Sequence, residues 1–418
     1  MLSETHEDAT DAAPQIVIVV NGPGEIAGWL WPLATTIKEI YPDVRICVAL
    51  LPCVFSSGAE LGVVKDLPFV DAVCSVAESL VLVMRGHLPD GFRRNGPGLL
   101  LHLGGETGLS YLIGKRLGLD CVAYVEDPFP LQNRFAKVFY TGFKAIPETK
   151  RARGSQVIGE MMVDASWMRC PGRETMDRSR KIVALYPGSR DYIVKYSLPF
   201  MGAVADCVAK VAPNVEWIVA RADFLPLAYL RDFPDVRDGR PFEGDNLTFE
   251  DGPNGQALVT SGGTRLRIVS PNDVPAQATM AITIPGTTTA ELGTLGVPLI
   301  LILPTVWAET SPLPGPAGWI GRLPIIGRYI KRGLALLFLR KLKLISHPNR
   351  RAGRMVVPEI VGRFQATKVA SKIIDMLDTD LLPLEEELRT IMGARGATLR
   401  LVNELRPWLR RALAQSED

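Results

Sequence analysis

Two well-separated segments of this chain share one layout: an apolar run, a turn of small residues and the start of a helix. They are residues 184–190 (ALYPGSR) and residues 284–293 (IPGTTTAELG). Such a turn directs free backbone N–H groups and the positive end of a helix dipole toward the space in front of it. Arg190 adds a guanidinium that can fork onto a phosphate. In the second segment, Glu291 lies about one turn into the predicted helix, where its carboxylate can accept hydrogen bonds from ribose hydroxyls.

Together the two segments predict a cradle for a nucleotide diphosphate. Its candidate residues are Gly188, Ser189, Arg190, Gly286, Thr287, Thr288 and Glu291.

The rest of the chain alternates strand and helix patterns. Residues 15–20 (QIVIVV) form the continuous apolar run expected of a strand that is buried on both faces. The alternation reaches about residue 165, meets a polar, arginine-rich stretch and restarts at residue 181. We therefore predict an α/β fold with two Rossmann-like, doubly wound parallel-sheet domains that face a cleft. The 418 residues suffice for two such cores.

The predicted boundaries follow the changes in composition. Residues 1–14 are an acidic, disordered lead-in, 15–165 the N-terminal domain and 180–375 the C-terminal, nucleotide-binding domain. Residues 376–418 carry leucines at helical spacing, which predicts helices that pack back on the N-terminal domain or on a partner subunit. Within the second domain, residues 238–270 predict a hairpin or a long loop, followed by a helix near Asp273.

Composition narrows the class of protein. A net charge of +2 argues against a nucleic-acid binder. The six cysteines form no C-x-x-C pair, which favours reduced thiols in a cytoplasmic protein and no metal site. There is no apolar signal core, and no run of about eighteen uncharged apolar residues that would predict a spanning helix.

Carboxylates follow the predicted strands of the N-terminal domain. Glu25, Glu106, Glu126 and Asp127 all come at or just after strand ends, opposite the phosphate-binding wall of the predicted cleft. This division suits a transferase that takes an activated nucleotide donor and a separate acceptor. Glu106 is the first candidate for a general base, because the two glycines before it let a ligand approach the backbone. Glu25 is the second candidate, and it also suits a positive helix start.

Five segments, in order between about residues 15 and 410, resemble motifs of the lipid-A-disaccharide synthase family. They are 24–29 (GEIAGW, family G-E-A-S-G-D), 158–165 (IGEMMVDA, family I-G-H-T-M-A-D-A), 185–190 (LYPGSR, family L-L-P-G-S-R), 286–291 (GTTTAE, family S-G-T-x-x-L-E) and 346–359 (family S-L-P-N-L-L-A-G-R…V-P-E).

The resemblance implies a GT-B fold and a metal-independent transfer of acylated glucosamine from a UDP donor to a phosphorylated acylglucosamine acceptor. It also implies that Arg190, Thr287, Glu291 and Asn349 hold the UDP moiety.

This chain departs from the family pattern on the acceptor side. Trp29 stands where the family has Asp, Glu160 where it has His, and glycine replaces the family's proposed catalytic Asp at the end of the fourth strand. Donor binding therefore carries over from the resemblance, whereas the catalytic base is assigned to Glu106 or Glu25.

A basic-apolar segment, residues 310–358, contains ten Lys and Arg residues and no Asp or Glu. Trp319, Ile320 and further aliphatic residues lie between the cations, a composition typical of an element that binds an anionic membrane surface, here through residues 319–354. A solvated face or a contact in a homodimer is the alternative.

The sequence predicts a cytoplasmic enzyme, peripheral to the inner face of the membrane, that moves an amino sugar from UDP to a lipid acceptor in lipid A biosynthesis or related lipid metabolism. The mechanism is an inverting displacement that needs no cofactor beyond the UDP-sugar co-substrate. Two alternatives stay open: a UDP-sugar 2-epimerase, and a catalytically silent lipid-binding protein.

Overall fold

The computed structural model describes residues 13–53, 58, 60–222, 225–233, 244, 246–253, 255–304 and 344–416. The chain forms two compact units. The first unit is Met1–Met168 with Gly393–Asp418, and the second is Arg169–Met392. The chain thus crosses between the units once within the predicted 165–180 boundary and once after Met392.

The first unit contains a seven-stranded sheet in which every strand pair is parallel. The order is β3-β2-β1-β4-β5-β6-β7, so the chain starts in the middle of the sheet and winds outward in both directions. This is the doubly wound arrangement that the apolar runs predict. The strands are β1 Gln15–Val20, β2 Arg45–Leu50, β3 Ala72–Cys74, β4 Gly98–His102, β5 Asp120–Val125, β6 Lys137–Tyr140 and β7 Gln156–Val157.

Helices cover this sheet, and one of them departs from the regular α-helix. The sequence predicts a single helix from Glu25 to about Ile40, but the chain forms a short turn at Pro23–Glu25, a π-helical turn at Ile26–Leu30 and an α-helix at Trp31–Ile40. Pro32 has no N–H for the Gly28 carbonyl, which interrupts the α-helical pattern at this point. The other helices are Glu60–Lys65, Val76–Arg85, Thr107–Leu117, Met161–Arg169 and Ala397–Ser416, with 3₁₀ turns at Gln132–Arg134 and Glu148–Lys150.

The last helix, Ala397–Ser416, belongs to the first unit. Its first turn is held by Asp164, whose two carboxylate oxygens accept hydrogen bonds from the N–H groups of Gly396 at 2.6 Å and Thr398 at 2.7 Å. Arg400 donates to the Ile158 carbonyl at 2.8 Å. The preceding helix, Leu382–Met392, stays in the second unit, so the return begins at Gly393 rather than at residue 376.

The second unit contains an eight-stranded sheet in the order β10-β11-β12-β9-β8-β13-β14-β15. Five strands are parallel to β8, and an antiparallel β10–β11–β12 extension is added at one edge. The strands are β8 Ile182–Tyr186, β9 Glu216–Ala220, β10 Leu247–Gly252, β11 Gly255–Thr260, β12 Arg265–Val269, β13 Met280–Thr283, β14 Leu299–Pro304 and β15 Glu359–Gly362.

Two local predictions fall in this extension. The hairpin expected within residues 238–270 is confirmed by the antiparallel pairing of β10 with β11. The helix expected near Asp273 is wrong, because residues 271–277 form consecutive turns. Pro275 cannot donate the hydrogen bond that a helix would require at that position. The helices of this unit are Asp191–Ala209, Leu227–Arg231, Thr288–Thr294, His347–Ala352, Ala366–Leu377 and Leu382–Met392, with a 3₁₀ turn at Pro171–Thr175.

Residues 310–343 of the basic-apolar segment lie outside the described residues, and so does most of the predicted membrane contact at 319–354. At its described end, Arg354 forms an ion pair with Glu387. Among the helices that the structure describes, none has the length and apolar character needed to cross a bilayer.

Candidate functional site

The two turns predicted to bind phosphate lie side by side in the second unit. Strands β8 and β13 are adjacent and parallel, and Thr283 is the register partner of Tyr186. The two strands therefore end level with each other, and the turns that follow them emerge at the same sheet edge. We call this the amide edge: residues 188–190, residues 286–288 and Glu291.

The turn after β8 presents Ser189 and Arg190 to solvent, next to a buried Pro187. Gly188 has a φ of +108°, and a Cβ there would lie 2.9 Å from Ile284 Cδ1, so glycine is needed for both conformation and space. The helix Asp191–Ala209 begins directly after Arg190. The Arg190 guanidinium donates to the Tyr192 hydroxyl at 2.9 Å, which keeps the cation at this exposed helix start.

The turn after β13 is open on its outer side. Gly286 and Thr287 are exposed, Thr288 is half-buried, and a Cβ on Gly286 would meet no atom of the described residues within 4 Å. The inner side is fixed by the buried Thr289, whose hydroxyl donates to the Gly286 carbonyl at 2.9 Å and accepts from the His347 N–H at 3.1 Å. The inner side of the turn is therefore fixed by hydrogen bonds, and its outer side is exposed to solvent.

Glu291 lies half-buried behind this turn. Burial raises the pKa of its carboxyl group, and the positive charge of Arg169 opposes the rise. Burial also lowers the pKa of Arg169, while the charge of Glu291 raises it. No local pattern in the sequence points to Arg169, because it lies in the linker stretch well over a hundred residues from Glu291.

The predicted role of Asn349 in UDP binding needs correction. Its side chain is completely buried, and all of its hydrogen-bonding groups have protein partners. The amide N–H groups donate to the Val357 carbonyl and to Glu359, each at 2.8 Å, and the amide oxygen accepts from the N–H groups of Val356 at 2.7 Å and Val357 at 2.9 Å. The Asn349 side chain therefore fixes the loop before β15 and has no side-chain donor or acceptor left for a ligand.

A second group of polar residues lies at the carboxyl end of the first unit's sheet. Strands β1 and β4 are adjacent, with Val19 opposite His102, and the segments that follow them come together. A Cβ on Gly104 would lie 2.7 Å from Asn21 Oδ1 and 3.0 Å from Glu25 Cγ. A Cβ on Gly22 would lie 2.6 Å from Glu25 Oε2. We call this cluster the carboxylate edge: Asn21, Glu25 and residues 104–106.

The carboxylate edge distinguishes the two candidate bases. Glu25 is half-buried and in close contact with the backbone of Gly22 and Gly104. Glu106 is exposed, occupies the N-cap position of the helix Thr107–Leu117 and forms no side-chain capping bond. Asn21, which is not among the residues predicted from the sequence, places a buried Oδ1 here that has no hydrogen-bond partner among the described residues. A buried acceptor of this kind is a candidate for binding a hydroxyl or a water.

A buried hydrogen-bond network lies behind the carboxylate edge. Trp29 Nε1 donates to Glu160 Oε1 at 3.0 Å, and the Tyr124 hydroxyl lies 3.4 Å from the same oxygen. The Trp29 and Tyr124 rings meet edge to face with centroids 5.3 Å apart. Trp29 and Glu160 are two of the positions at which the sequence departs from the lipid-A-disaccharide synthase pattern, and here they contact each other.

His102 is buried, as the sequence predicts for a core histidine. Its Nδ1 lies 2.8 Å from the Ser110 hydroxyl, and burial lowers its pKa to about 4. Within the part of the chain that the structure describes, no three His, Cys, Asp or Glu side chains lie close enough together to hold a metal ion.

This chain is similar to known proteins in its fold but not in its sequence. No protein-family model matches the chain, and no curated protein matches its sequence. A solved UDP-N-acetylglucosamine 2-epimerase has a TM-score of 0.50 at 14% identity, over 94% of this chain and 95% of that one.

Two further solved structures are similar at lower scores. MurG from Acinetobacter baumannii has a TM-score of 0.48 at 12% identity, over 94% of this chain and 99% of that one. The Methanocaldococcus jannaschii UDP-GlcNAc 2-epimerase in complex with UDP-GlcNAc and UDP has a TM-score of 0.46 at 11% identity, over 94% and 99%. The predicted fold class is confirmed: the chain has the GT-B type of fold, with two Rossmann-like α/β domains.

Proposed function

We propose that this protein is a glycosyltransferase that moves an amino sugar from a UDP donor to a lipid or lipid-linked acceptor. The observation that carries the proposal is the amide edge: two level strand ends with exposed turns, one of which carries Arg190 at the start of a 19-residue helix. Backbone N–H groups and a guanidinium at one sheet edge are complementary to a diphosphate.

The fold supports UDP as the nucleotide. The solved structure with the TM-score of 0.50 is named as a UDP-N-acetylglucosamine 2-epimerase, and the same fold is found here over nearly the whole chain. The Glu291 carboxylate accepts hydrogen bonds from the ribose hydroxyls in this proposal. The positive charge of Arg169 favours the ionised form of Glu291, which is the form that accepts these bonds.

Glu25 is the base in the proposed reaction, and Glu106 is the alternative. The acceptor hydroxyl transfers its proton to the Glu25 carboxylate as the acceptor oxygen forms a bond to the anomeric carbon. The bond from that carbon to the UDP oxygen breaks, and UDP leaves with its electron pair. Arg190 and the turn N–H groups stabilise the negative charge that develops on the diphosphate. The attack on the opposite face inverts the anomeric configuration.

The lipid acceptor and the membrane location rest on the sequence. The basic-apolar segment suits an anionic lipid surface on the inner face of the cell membrane, and the motifs resemble those of lipid-A-disaccharide synthase.

A UDP-sugar 2-epimerase is the second candidate, favoured by the name of the same solved structure. An epimerase would use the amide edge in the same way but would need no acceptor. The two functions therefore differ in their products and not in donor binding.

The test is incubation of the full-length protein with a panel of UDP-sugars and a total lipid extract, followed by mass spectrometry. We expect free UDP and a lipid whose mass increases by one sugar residue. An isomerised UDP-sugar without a lipid product would favour the epimerase. Lipid binding without turnover of any UDP-sugar would show a silent lipid-binding protein instead.

A further inference from the structure

We propose that Trp29 and Glu160 are positioning residues that fix the Glu25 carboxylate at the carboxylate edge. This inference rests on the proposed role of Glu25 as the base. Its starting point is the hydrogen bond from Trp29 Nε1 to Glu160 Oε1, which is 3.0 Å long, buried and joins residues 131 positions apart.

The bond connects two elements that local sequence does not connect. Trp29 lies in the π-helical turn Ile26–Leu30, and Glu160 directly precedes the helix Met161–Arg169. The backbone of the turn also rests on that helix, because a Cβ on Gly28 would lie 3.1 Å from Met162 Cε. Glu25 is the residue immediately before the turn and lies four positions from Trp29, a spacing that brings side chains near one another on a helical surface.

The π-helical turn needs such support. Turns of this kind are rare within α-helices because they contain one extra residue, and they are often found at functional sites. Here the Trp31 N–H bonds to the Ile26 carbonyl, and the Ile26 N–H bonds to the Gly22 carbonyl at 3.0 Å. Glu25 lies within the first of these bonded turns and directly precedes the second, so the winding of the chain here sets the direction of its side chain.

The partners of Glu160 are themselves held in place. The Tyr124 hydroxyl accepts a hydrogen bond from the Met161 N–H at 3.0 Å and lies 3.0 Å from the Gly159 carbonyl oxygen. The Trp29 ring packs edge to face on the Tyr124 ring. A buried polar network of this kind favours its observed arrangement, because a buried polar group that loses its partner is costly.

Loss of the hydrogen bond between Trp29 and Glu160 is expected to affect only the sugar-transfer step. A displacement of about 1 Å in a catalytic group can cost about 10²-fold in rate. The donor site of the proposed function lies in the second unit, so loosening the turn leaves UDP affinity unchanged. A purely structural pair would instead lower thermal stability without changing the rate per folded molecule.

The first experiment uses Trp29→Phe in the full-length protein, because phenylalanine keeps an aromatic ring but removes the N–H donor. Hydrogen–deuterium exchange without any substrate is expected to increase in residues 26–31. The kcat for sugar transfer is expected to fall about 10- to 100-fold, with Kd for UDP changed by less than about twofold.

The matched control is Trp408→Phe. Trp408 also donates its Nε1 hydrogen to a carboxylate in the first unit, Asp120 at 3.1 Å, but it lies in the helix Ala397–Ser416. This variant is expected to change neither exchange in residues 26–31 nor kcat.

A second pair of variants tests Glu160 itself. Glu160→Gln keeps an acceptor oxygen for Trp29 and is expected to retain kcat within about threefold, whereas Glu160→Leu is expected to match Trp29→Phe. The double variant Trp29→Phe/Glu160→Leu is expected to be no worse than either single change, because both remove the same bond.

Unchanged exchange in residues 26–31 of Trp29→Phe would overturn the positioning role, whether or not the protein transfers sugar. Raised exchange with an unchanged kcat would overturn it as well, because the turn would then move without consequence for the chemistry. Absence of transfer by the native protein would refute the proposed function separately, and raised exchange would still support the link between the pair and the turn.

Discussion

The two sheet edges have the same backbone architecture but opposite chemistry. The amide edge of the second unit presents exposed turns and a solvent-facing Arg190, and no described atom lies within 4 Å of a Cβ built on Gly286. The carboxylate edge of the first unit presents a half-buried Glu25 in close contact with two glycines, and a buried Asn21 oxygen without a hydrogen-bond partner in the described part of the chain. The first arrangement suits an anion, and the second suits a hydroxyl group that must lose a proton.

The difference shows how one strand–turn–helix pattern serves two purposes. At the amide edge the small residues of the two turns are mostly exposed. At the carboxylate edge the glycines make room for a carboxylate that folds back onto the chain. If the two edges serve separate steps, substitutions at one edge should leave the other edge functional.

The largest effect is expected for Glu25→Gln. Loss of a general base lowers turnover by about 10²- to 10⁴-fold. UDP affinity, measured by calorimetry, is expected to stay unchanged, because no part of the amide edge is altered. Glu39→Gln, an exposed change on the neighbouring helix Trp31–Ile40, is the control. If Glu25→Gln kept full turnover and Glu106→Gln lost it, Glu106 would be the base.

Arg190→Ala should have the next largest effect, at the other edge. Removal of a charged hydrogen-bond donor is expected to weaken UDP binding by about 1–3 kcal/mol, or about 5- to 150-fold. The matched control is Arg180→Ala, because Arg180 precedes β8 at the opposite end of the same strand and pairs with Glu216. Equal UDP affinity in both variants would refute the amide edge as the donor site.

Two glycine substitutions compare the free space at the two edges. Gly104→Ala places a Cβ 2.7 Å from Asn21 Oδ1 and 3.0 Å from Glu25 Cγ, and is expected to lower the free energy of unfolding by about 1–3 kcal/mol. Gly286→Ala meets no described atom within 4 Å and is expected to change it by less than about 0.5 kcal/mol. Urea unfolding measures both, and similar costs would contradict the described difference in packing.

The smallest effect concerns the pH dependence of stability. The pKa of Glu291 is raised in the folded state, so the folded protein holds this proton more tightly than the unfolded chain does. The associated stability is complete below the ordinary pKa of 4.5 and is lost as the pH rises through the folded value. Relative to the native protein, Glu291→Gln is therefore expected to gain stability over that window in urea titrations without ligand. A constant difference across the window would show that the carboxyl group is not desolvated.

Prediction from the sequence succeeded where the signal is local. The apolar run at residues 15–20 marks a strand buried on both faces, and the turns at Gly188 and Gly286 follow strands as expected. It failed where a single proline decides the local structure: the helix near Asp273 is replaced by turns, and the helix from Glu25 is interrupted by a π-helical turn.

The residues of the candidate site can be predicted only in part from local sequence. Arg190, Thr287 and Glu291 could be chosen because each stands in a turn or in the first part of a helix. Asn349 also stands in a motif, but its burial and its bonds to Val357 and Glu359 appear only in three dimensions. In the sequence, the two glycines before Glu106 place it ahead of Glu25 as the candidate base, whereas in the structure the two carboxylates differ in burial.

The sequence by itself determined the two-domain α/β fold and the edge at which each turn emerges, because strand burial, glycine conformations and helix starts depend on neighbouring residues. Only the tertiary structure decided which carboxylate lies against Gly104, that Trp29 bonds to Glu160, and that Arg169 acts on Glu291. These contacts join residues far apart in the chain. Their formation depends on how whole sheets and helices pack, which no short stretch of sequence specifies.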